Sequence, residues 1–175
     1  MENYLLINAL GKPDATLLEQ FTKALKEGGG KIVESRMCVL GNEFCVLMLL
    51  SGTWDSIAKI EDMLPRLEDK LSMSIRTKRT EPAKNTVNLM PYAIDVVSID
   101  NAIIVHDIVN FFATNKISIQ DMHANTYKAA NTATPMMSLH ITVNIPANIS
   151  IASIRSDFMD FCDQRNVDAI LEPFK

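Results

Sequence analysis

Cys38 and Cys45 flank the dipeptide Gly41-Asn42 at equal distance. A two-residue turn there sets Leu40 opposite Glu43, Val39 opposite Phe44 and Cys38 opposite Cys45, with both thiols on one face of a hairpin. Facing strand residues lie about 4.5–5.5 Å apart by Cα, within disulfide reach. The apolar neighbours Val46, Leu47 and Met48 and a reducing cytosol favour two small core hydrophobes instead. No neighbouring base or cation marks either as a nucleophile. The three cysteines form no disulfide framework. The histidines are His106, His123 and His140, with His106 in a helical stretch beside Asp107. If two strands pair about a turn near Asn131, His123 and His140 approach across a sheet, and Asp121 is the third group a metal would want. No ligand spacing of the HxxxH kind accompanies them. They read as surface or hydrogen-bonded structural histidines, and no metal or cofactor is expected.

Arg76, Lys78 and Arg79, with Lys84 beyond, form the one tight basic group and read as a solvated strand end. Residues 1–87 hold 12 Lys+Arg against 12 Asp+Glu, and residues 88–175 hold 5 against 9, so the net charge of −4 lies in the second half. An acidic half without a basic stripe disfavours autonomous DNA binding, which needs cations to displace counterions from phosphates. RNA recognition on a sheet needs exposed aromatics, whereas only 6% of this chain is aromatic and its Phe residues fall mostly on helical stripes. A phosphate loop with paired arginine and a Cys-x-x-Cys loop are both missing, so acyl-phosphate hydrolysis and metal carriage find no support. The expectation is a protein that is not an enzyme.

These residues must be held by something, and 175 residues, 47% hydrophobic and 22% charged, suffice for one medium domain or two small ones. Residues 4–10 are a short apolar run closed by Gly11, the mark of a buried strand. Leu17, Leu18, Phe21, Ala24, Leu25 and Gly28 then fall on one helical stripe, with Asp14 to cap its start and Gly28-Gly29-Gly30 to end it. Strands follow at 31–40 and 43–51. A second helix begins near Thr53 with Trp54, Ile57, Ile60, Leu64 and Leu67 facing the core, and Pro65 is a candidate end or kink. Residues 71–78 alternate as a half-exposed strand.

The pattern lapses over 80–91 and then repeats. Residues 92–98 match the first strand; Ile104, Val105, Ile108, Phe111 and Phe112 match the first helical stripe; Ile117-Ser118-Ile119 match the start of the second strand. A third strand over 136–145, a helix capped by Ser150 and a strand over 167–171 complete it. Tyr4 to Tyr92 is a step of 88 and Ile32 to Ile119 a step of 87. The order strand, helix, strand, strand, helix, strand, written twice, predicts an α+β protein of two ferredoxin-like βαββαβ units: domains at 1–80 and 91–175 joined by a linker at 81–90. Each would be an antiparallel sheet with both helices on one face, leaving the other face apolar enough to need a partner such as a second copy of the chain.

Asn8-Ala9-Leu10-Gly11 leading into a helix, Gly30-Lys31-Ile32-Val33-Glu34-Ser35-Arg36, Leu40-Gly41-Asn42-Glu43-Phe44 and Met48-Leu49-Leu50-Ser51-Gly52-Thr53-Trp54 together resemble the first half of the glycine cleavage system transcriptional repressor family, whose members consist of two ACT domains. The resemblance is strongest over residues 4–80 and stays in register through Asp100, residues 104–112 and residues 117–121. It implies a regulator that binds a DNA-binding activator of the LysR type rather than DNA, with glycine as its signal. Independently of the resemblance, no segment approaches the roughly 20 uninterrupted apolar residues of a membrane span, and Met1-Glu2-Asn3-Tyr4 lacks the basic region and long apolar stretch of a signal peptide, so a cytoplasmic protein with no membrane partner is expected. ACT domains that bind amino acids usually carry Asp-x-Pro-Gly between the first strand and helix. Here that loop offers Gly11, Asp14, Ala15 and Thr16, and its counterpart Asp100, Asn101, Ala102 and Ile103. These are the candidate ligand residues, with helix capping by Asp14 and Asp100 as the alternative. Glu34, Ser35 and Arg36, at the exit of the second strand, are the candidate partner-binding residues, and Trp54 is expected in the core. A free-standing amino-acid sensor that regulates a metabolic enzyme is the second functional expectation.

Overall fold

The computed structural model describes residues 2–82, 88–99 and 102–174. The chain divides into two compact units, Met1–Lys84 and Asn85–Lys175. The first runs β1 (Asn3–Gly11), α1 (Leu17–Glu27), β2 (Lys31–Leu40), β3 (Glu43–Gly52), α2 (Trp54–Leu71) and β4 (Ser74–Thr80). The second runs β5 (Leu89–Ile99), α3 (Ala102–Thr114), β6 (Ser118–Lys128), β7 (Pro135–Pro146), α4 (Ile151–Asp163) and β8 (Asp168–Pro173). The sheets, β2-β3-β1-β4 and β6-β7-β5-β8, are antiparallel throughout. This is the ferredoxin-like order, in which two split βαβ crossovers interlock. Residues 83–87 of the expected linker, Lys84 among them, lie outside the described residues, and β5 begins at Leu89, inside the range read as linker.

Alternation along each central strand sends every second side chain under the helices. Leu5, Ile7 and Ala9 of β1 and Val46, Met48 and Leu50 of β3 meet Leu17, Phe21 and Leu25 of α1 and Ile57, Ile60 and Leu64 of α2 in one buried cluster. The second unit has its own, from Ile94, Leu139, Ile141, Ile108, Phe112, Phe158 and Cys162. Each large apolar side chain so buried contributes about 1.5–3 kcal/mol. Phe158 lies 5.2 Å from Phe111 and 5.3 Å from Phe112 between ring centroids.

Helix boundaries follow local chemistry. Thr53 Oγ1 accepts the Ser56 N–H at the start of α2, and Ser150 Oγ accepts the Ser153 N–H at the start of α4. All four helices end alike, with a left-handed residue at Gly29, Ser72, Lys116 or Asn166 whose N–H and whose successor's N–H return to the last turn. Val33 in β2 and Gln120 in β6 each stand unpaired where the register shifts, a bulge at matching places in the two sheets.

Several expectations are corrected. Pro65 neither ends nor interrupts α2, because the stripe Ile57, Ile60, Leu64 and Leu67 continues into the core on both sides of it. Leu71 therefore closes the helix, and the strand expected from residue 71 starts at Ser74. Trp54 is 61% exposed. As the first helical residue it lies ahead of the buried stripe, with the Arg79 guanidinium 5.9 Å from its ring. In the β2–β3 turn only Gly41 takes a positive φ, of 61°.

Candidate functional site

The β1–α1 loop is built by its own side chains. Gly11 is buried, and a Cβ there would stand 3.0 Å from Met73 Cγ and 3.3 Å from Leu17 Cδ1, so a larger residue would press the Met73 and Leu17 side chains aside by a few tenths of an ångström. Asp14 Oδ1 accepts both the Thr16 N–H at 2.7 Å and the Thr16 hydroxyl at 2.6 Å. The Thr16 hydroxyl, followed by its N–H, holds the Asp14 carboxyl below its ordinary value. Thr16 is thus the N-cap of α1 without a side-chain capping bond, and Asp14, expected to cap the helix, chiefly organises the loop ahead of it.

Asp14 and Thr16 line a cleft of about 430 Å³, completed by Lys12, Leu17, Gln20 and, from the end of α2, Lys70, Leu71 and Ser72. Gly11 and Ala15 stand outside that lining. The second unit has a cleft of about 370 Å³ in the equivalent place, formed by Ser98, Ile99, Ile103, Ile104 and Asp107 with Arg165, Asn166 and Val167 after α4. Asp100 and Asn101 lie outside the described residues, and Ala102 opens α3. The two clefts differ in electrostatics. The first presents the ammonium groups of Lys12 and Lys70 with one carboxylate, a setting that suits a small zwitterion. In the second, Arg165 Nε donates to Asp107 Oδ2 at 2.7 Å while its guanidinium lies 3.9 Å from the Phe161 ring centroid, so cation and anion offset each other. Among the lining residues, the sequence points to Lys12 only as part of the loop over residues 11–16 and to Asp107 only as a neighbour of His106, and gives no pointer to Gln20, Lys70 or Arg165. The repeat was the available signal for one pair, since the step of 87 from Ile32 to Ile119 also relates Gln20 to Asp107.

The outer sheet faces, away from the helices, differ more. Cross-strand rows on the first run Glu34, Leu49, Leu6, Lys78 and then Arg36, Leu47, Asn8, Arg76, a mixed-charge border around an apolar middle. Glu34 and Arg36 share this face, 3.6 Å apart, in mid-strand rather than at the exit of β2. Ser35 points the other way, opposite Met48. On the second sheet the rows read Asp121, Thr142, Ala93, Glu172 and then His123, His140, Asp95, Ile170. With Asp168 this face carries four carboxylates and no lysine or arginine among the described residues, so the apolar outer face expected of both units describes only the first.

The histidines do meet: His123 and His140 are direct cross-strand partners. Each is paired with a carboxylate, His123 Nε2 with Asp121 at 2.8 Å and His140 Nδ1 with Asp95 at 2.6 Å. No group of three or more potential metal ligands occurs among the described residues. Cys38 and Cys45 are likewise cross-strand partners, exposed and half-buried, which corrects the placement of both in the core: β2 is an edge strand exposed along its whole length.

Known proteins of the same build give these features a context. The sequence pattern of the ACT domain matches residues 3–78. The glycine cleavage system transcriptional repressors of Escherichia coli K12 and Shigella flexneri are each 28% identical to this chain over 165 residues, 94% of this chain and 87% of theirs. A crystal structure described as a putative glycine cleavage system transcriptional repressor superposes over 100% of this chain and 99% of its own, with a TM-score of 0.76 at 23% identity. A protein of unknown function from Galdieria sulphuraria superposes over the full length of both chains with a TM-score of 0.79 at 19% identity. Residues 3–78 thus match the ACT domain, the second unit repeats the same fold, and the chain resembles the glycine cleavage system transcriptional repressors along nearly its whole length.

Proposed function

We propose that this chain is a regulatory protein of the cytoplasm, not an enzyme, which silences a promoter by binding a DNA-binding activator of the LysR type. A small amino acid such as glycine, held in the β1–α1 cleft, tunes it. The observation that carries this reading is similarity over 94% of the chain to proteins named as glycine cleavage system transcriptional repressors. The charge layout supports an indirect mode of repression. Phosphate backbones repel a face of four carboxylates, whereas an activator's surface can be met by an apolar patch with a polar rim such as the one around Leu6, Leu47 and Leu49. For the ligand, Lys12 and Lys70 suit a carboxylate and Asp14 an ammonium group.

Affinity capture of the tagged chain from its native cells, followed by identification of what is retained, tests the partner. A LysR-type activator is expected. A biosynthetic enzyme in its place would establish instead the amino-acid sensor that acts on metabolism. A gel shift with the purified chain alone should show no sequence-specific retardation, and a tight specific complex would overturn the indirect mode.

A further inference from the structure

Cys38 and Cys45 face each other across β2 and β3, three residues from a turn whose first residue, Gly41, is left-handed. In a two-residue hairpin the pair flanking the turn exchanges both ladder hydrogen bonds and the pairs alternate outward, which makes Cys38 and Cys45 another hydrogen-bonded pair, with Cα atoms about 5.5 Å apart. That separation lies in the disulfide range. The thiols are free, Cys38 exposed and Cys45 half-buried. Burial, then the charge of Cys38 and a hydrogen bond with it, push the Cys45 thiol up. Cys162 provides the contrast: on the buried face of α4, it is fully buried, and burial pushes its thiol up to about 11, the setting of an inert structural thiol.

We propose that Cys38 and Cys45 form a reversible dithiol–disulfide pair, oxidised by a low-molecular-weight disulfide of the glutathione class. The exposed Cys38, as thiolate, attacks one sulfur of the oxidant. A bond to Cys38 Sγ forms, the oxidant's S–S bond breaks and one thiolate departs. Cys45 then gives its proton to solvent and attacks Cys38 Sγ, expelling the second thiolate. The protein has lost two electrons and two protons, and the oxidant has become two thiols. The new bond joins the strands on the face that carries Arg36 and Leu47, and it stiffens a hairpin tip whose β2 half is exposed throughout. This inference does not depend on the identity of the activator or of the amino acid.

The full-length reduced chain, incubated with oxidised glutathione, alkylated under denaturing conditions and digested with trypsin, gives the test. Both cysteines fall in the single tryptic peptide 37–59. That peptide should appear without alkyl groups and two hydrogens lighter than its dithiol form, with Cys162 still alkylated. Amide exchange through β2 and β3 should slow on oxidation and recover with a reductant. Cys45→Ser should stop at a glutathione adduct on Cys38. Alkylation of both cysteines after treatment, a wild-type adduct that never closes, or a disulfide only between two copies would each overturn the proposal. The wild-type readout does not depend on how any variant folds.

Discussion

Lys116 occupies in the second unit the position that Gly29 holds in the first. Both are left-handed, with φ of 57° and 85°, and both close a helix by donating to the carbonyl three residues back, Lys116 to Ala113 at 3.0 Å and Gly29 to Lys26 at 2.9 Å. A residue with a Cβ pays for this conformation and glycine does not. Lys116→Gly should therefore stabilise the second unit by about 0.5–1 kcal/mol, once the greater freedom of glycine in the unfolded chain is subtracted. Gly29→Ala should cost about 1–2 kcal/mol, because its Cβ would also meet Ser56 Oγ at 2.8 Å. Denaturant titration of both variants measures these differences, and a Lys116→Gly variant no more stable than wild type, or a Gly29→Ala variant as stable as wild type, would mean that the left-handed closure is not what sets the cost.

The four-phenylalanine cluster concentrates the second unit's packing. Phe158→Ala removes a fully buried ring in contact with Phe111 and Phe112 and should cost about 3–5 kcal/mol. Near-ultraviolet circular dichroism should lose its aromatic signal at a lower denaturant concentration. A shift of less than about 1 kcal/mol would show that the neighbouring rings close the gap.

Glu61 and Arg79 tie α2 to β4 through two parallel hydrogen bonds, at 3.0 and 2.6 Å. The Arg79 hydrogen bonds hold the Glu61 carboxyl below its ordinary value. A carboxyl lower in the folded than in the unfolded chain contributes stability that is complete above its unfolded value and disappears as pH falls through its folded one. Glu61→Gln should therefore melt slightly lower than wild type at pH 7, and the two curves should converge below the usual glutamate range. A gap that persists in acid would assign the effect to packing.

If glycine is the ligand, a concentration about 100 times its dissociation constant should stabilise the chain by about 2.7 kcal/mol. Replacing Lys12 and Lys70 together with alanine should abolish that gain without changing the unliganded melt. No thermal shift at millimolar glycine or serine would leave a switch driven by protein contact alone.

Arg36→Ala should weaken capture of the activator by about 1–3 kcal/mol while the melt of the chain stays in place, the signature of a charge-assisted interface contact. Unaltered capture would remove Arg36 from the interface, and a large fall in melting temperature would make it a structural residue.

The fold was legible because it is written twice. The 87-residue step that relates Ile32 to Ile119 also relates Gly29 to Lys116 and Val33 to Gln120. The hairpin register was legible too, since Gly41-Asn42 leaves no other pairing for the cysteines. Helix α2 was misjudged at both ends for local reasons. Proline costs one hydrogen bond, but a stripe from Ile57 to Leu67 outweighs it, and Trp54 precedes the turn at which that stripe enters the core. The clefts were half legible. Asp14 and Thr16 were in view, but Lys70 and Arg165 come from the far ends of other helices, and only tertiary structure brings those ends to the loops.

The paired bulges bear on a hazard of every open sheet. β2 is an edge strand with Ile32, Val33, Met37, Val39 and Leu40 all exposed, a composition that in a flat strand would template growth into fibrils. The unpaired Val33 twists the strand just ahead of Glu34 and Arg36, so an incoming strand meets broken spacing and then charge. Gln120 breaks β6 at the same place before Asp121. Excising Val33 would straighten the ladder, with Ile32 still opposite Leu50 and Glu34 still opposite Leu49, and the flatter edge would be a better template for aggregation.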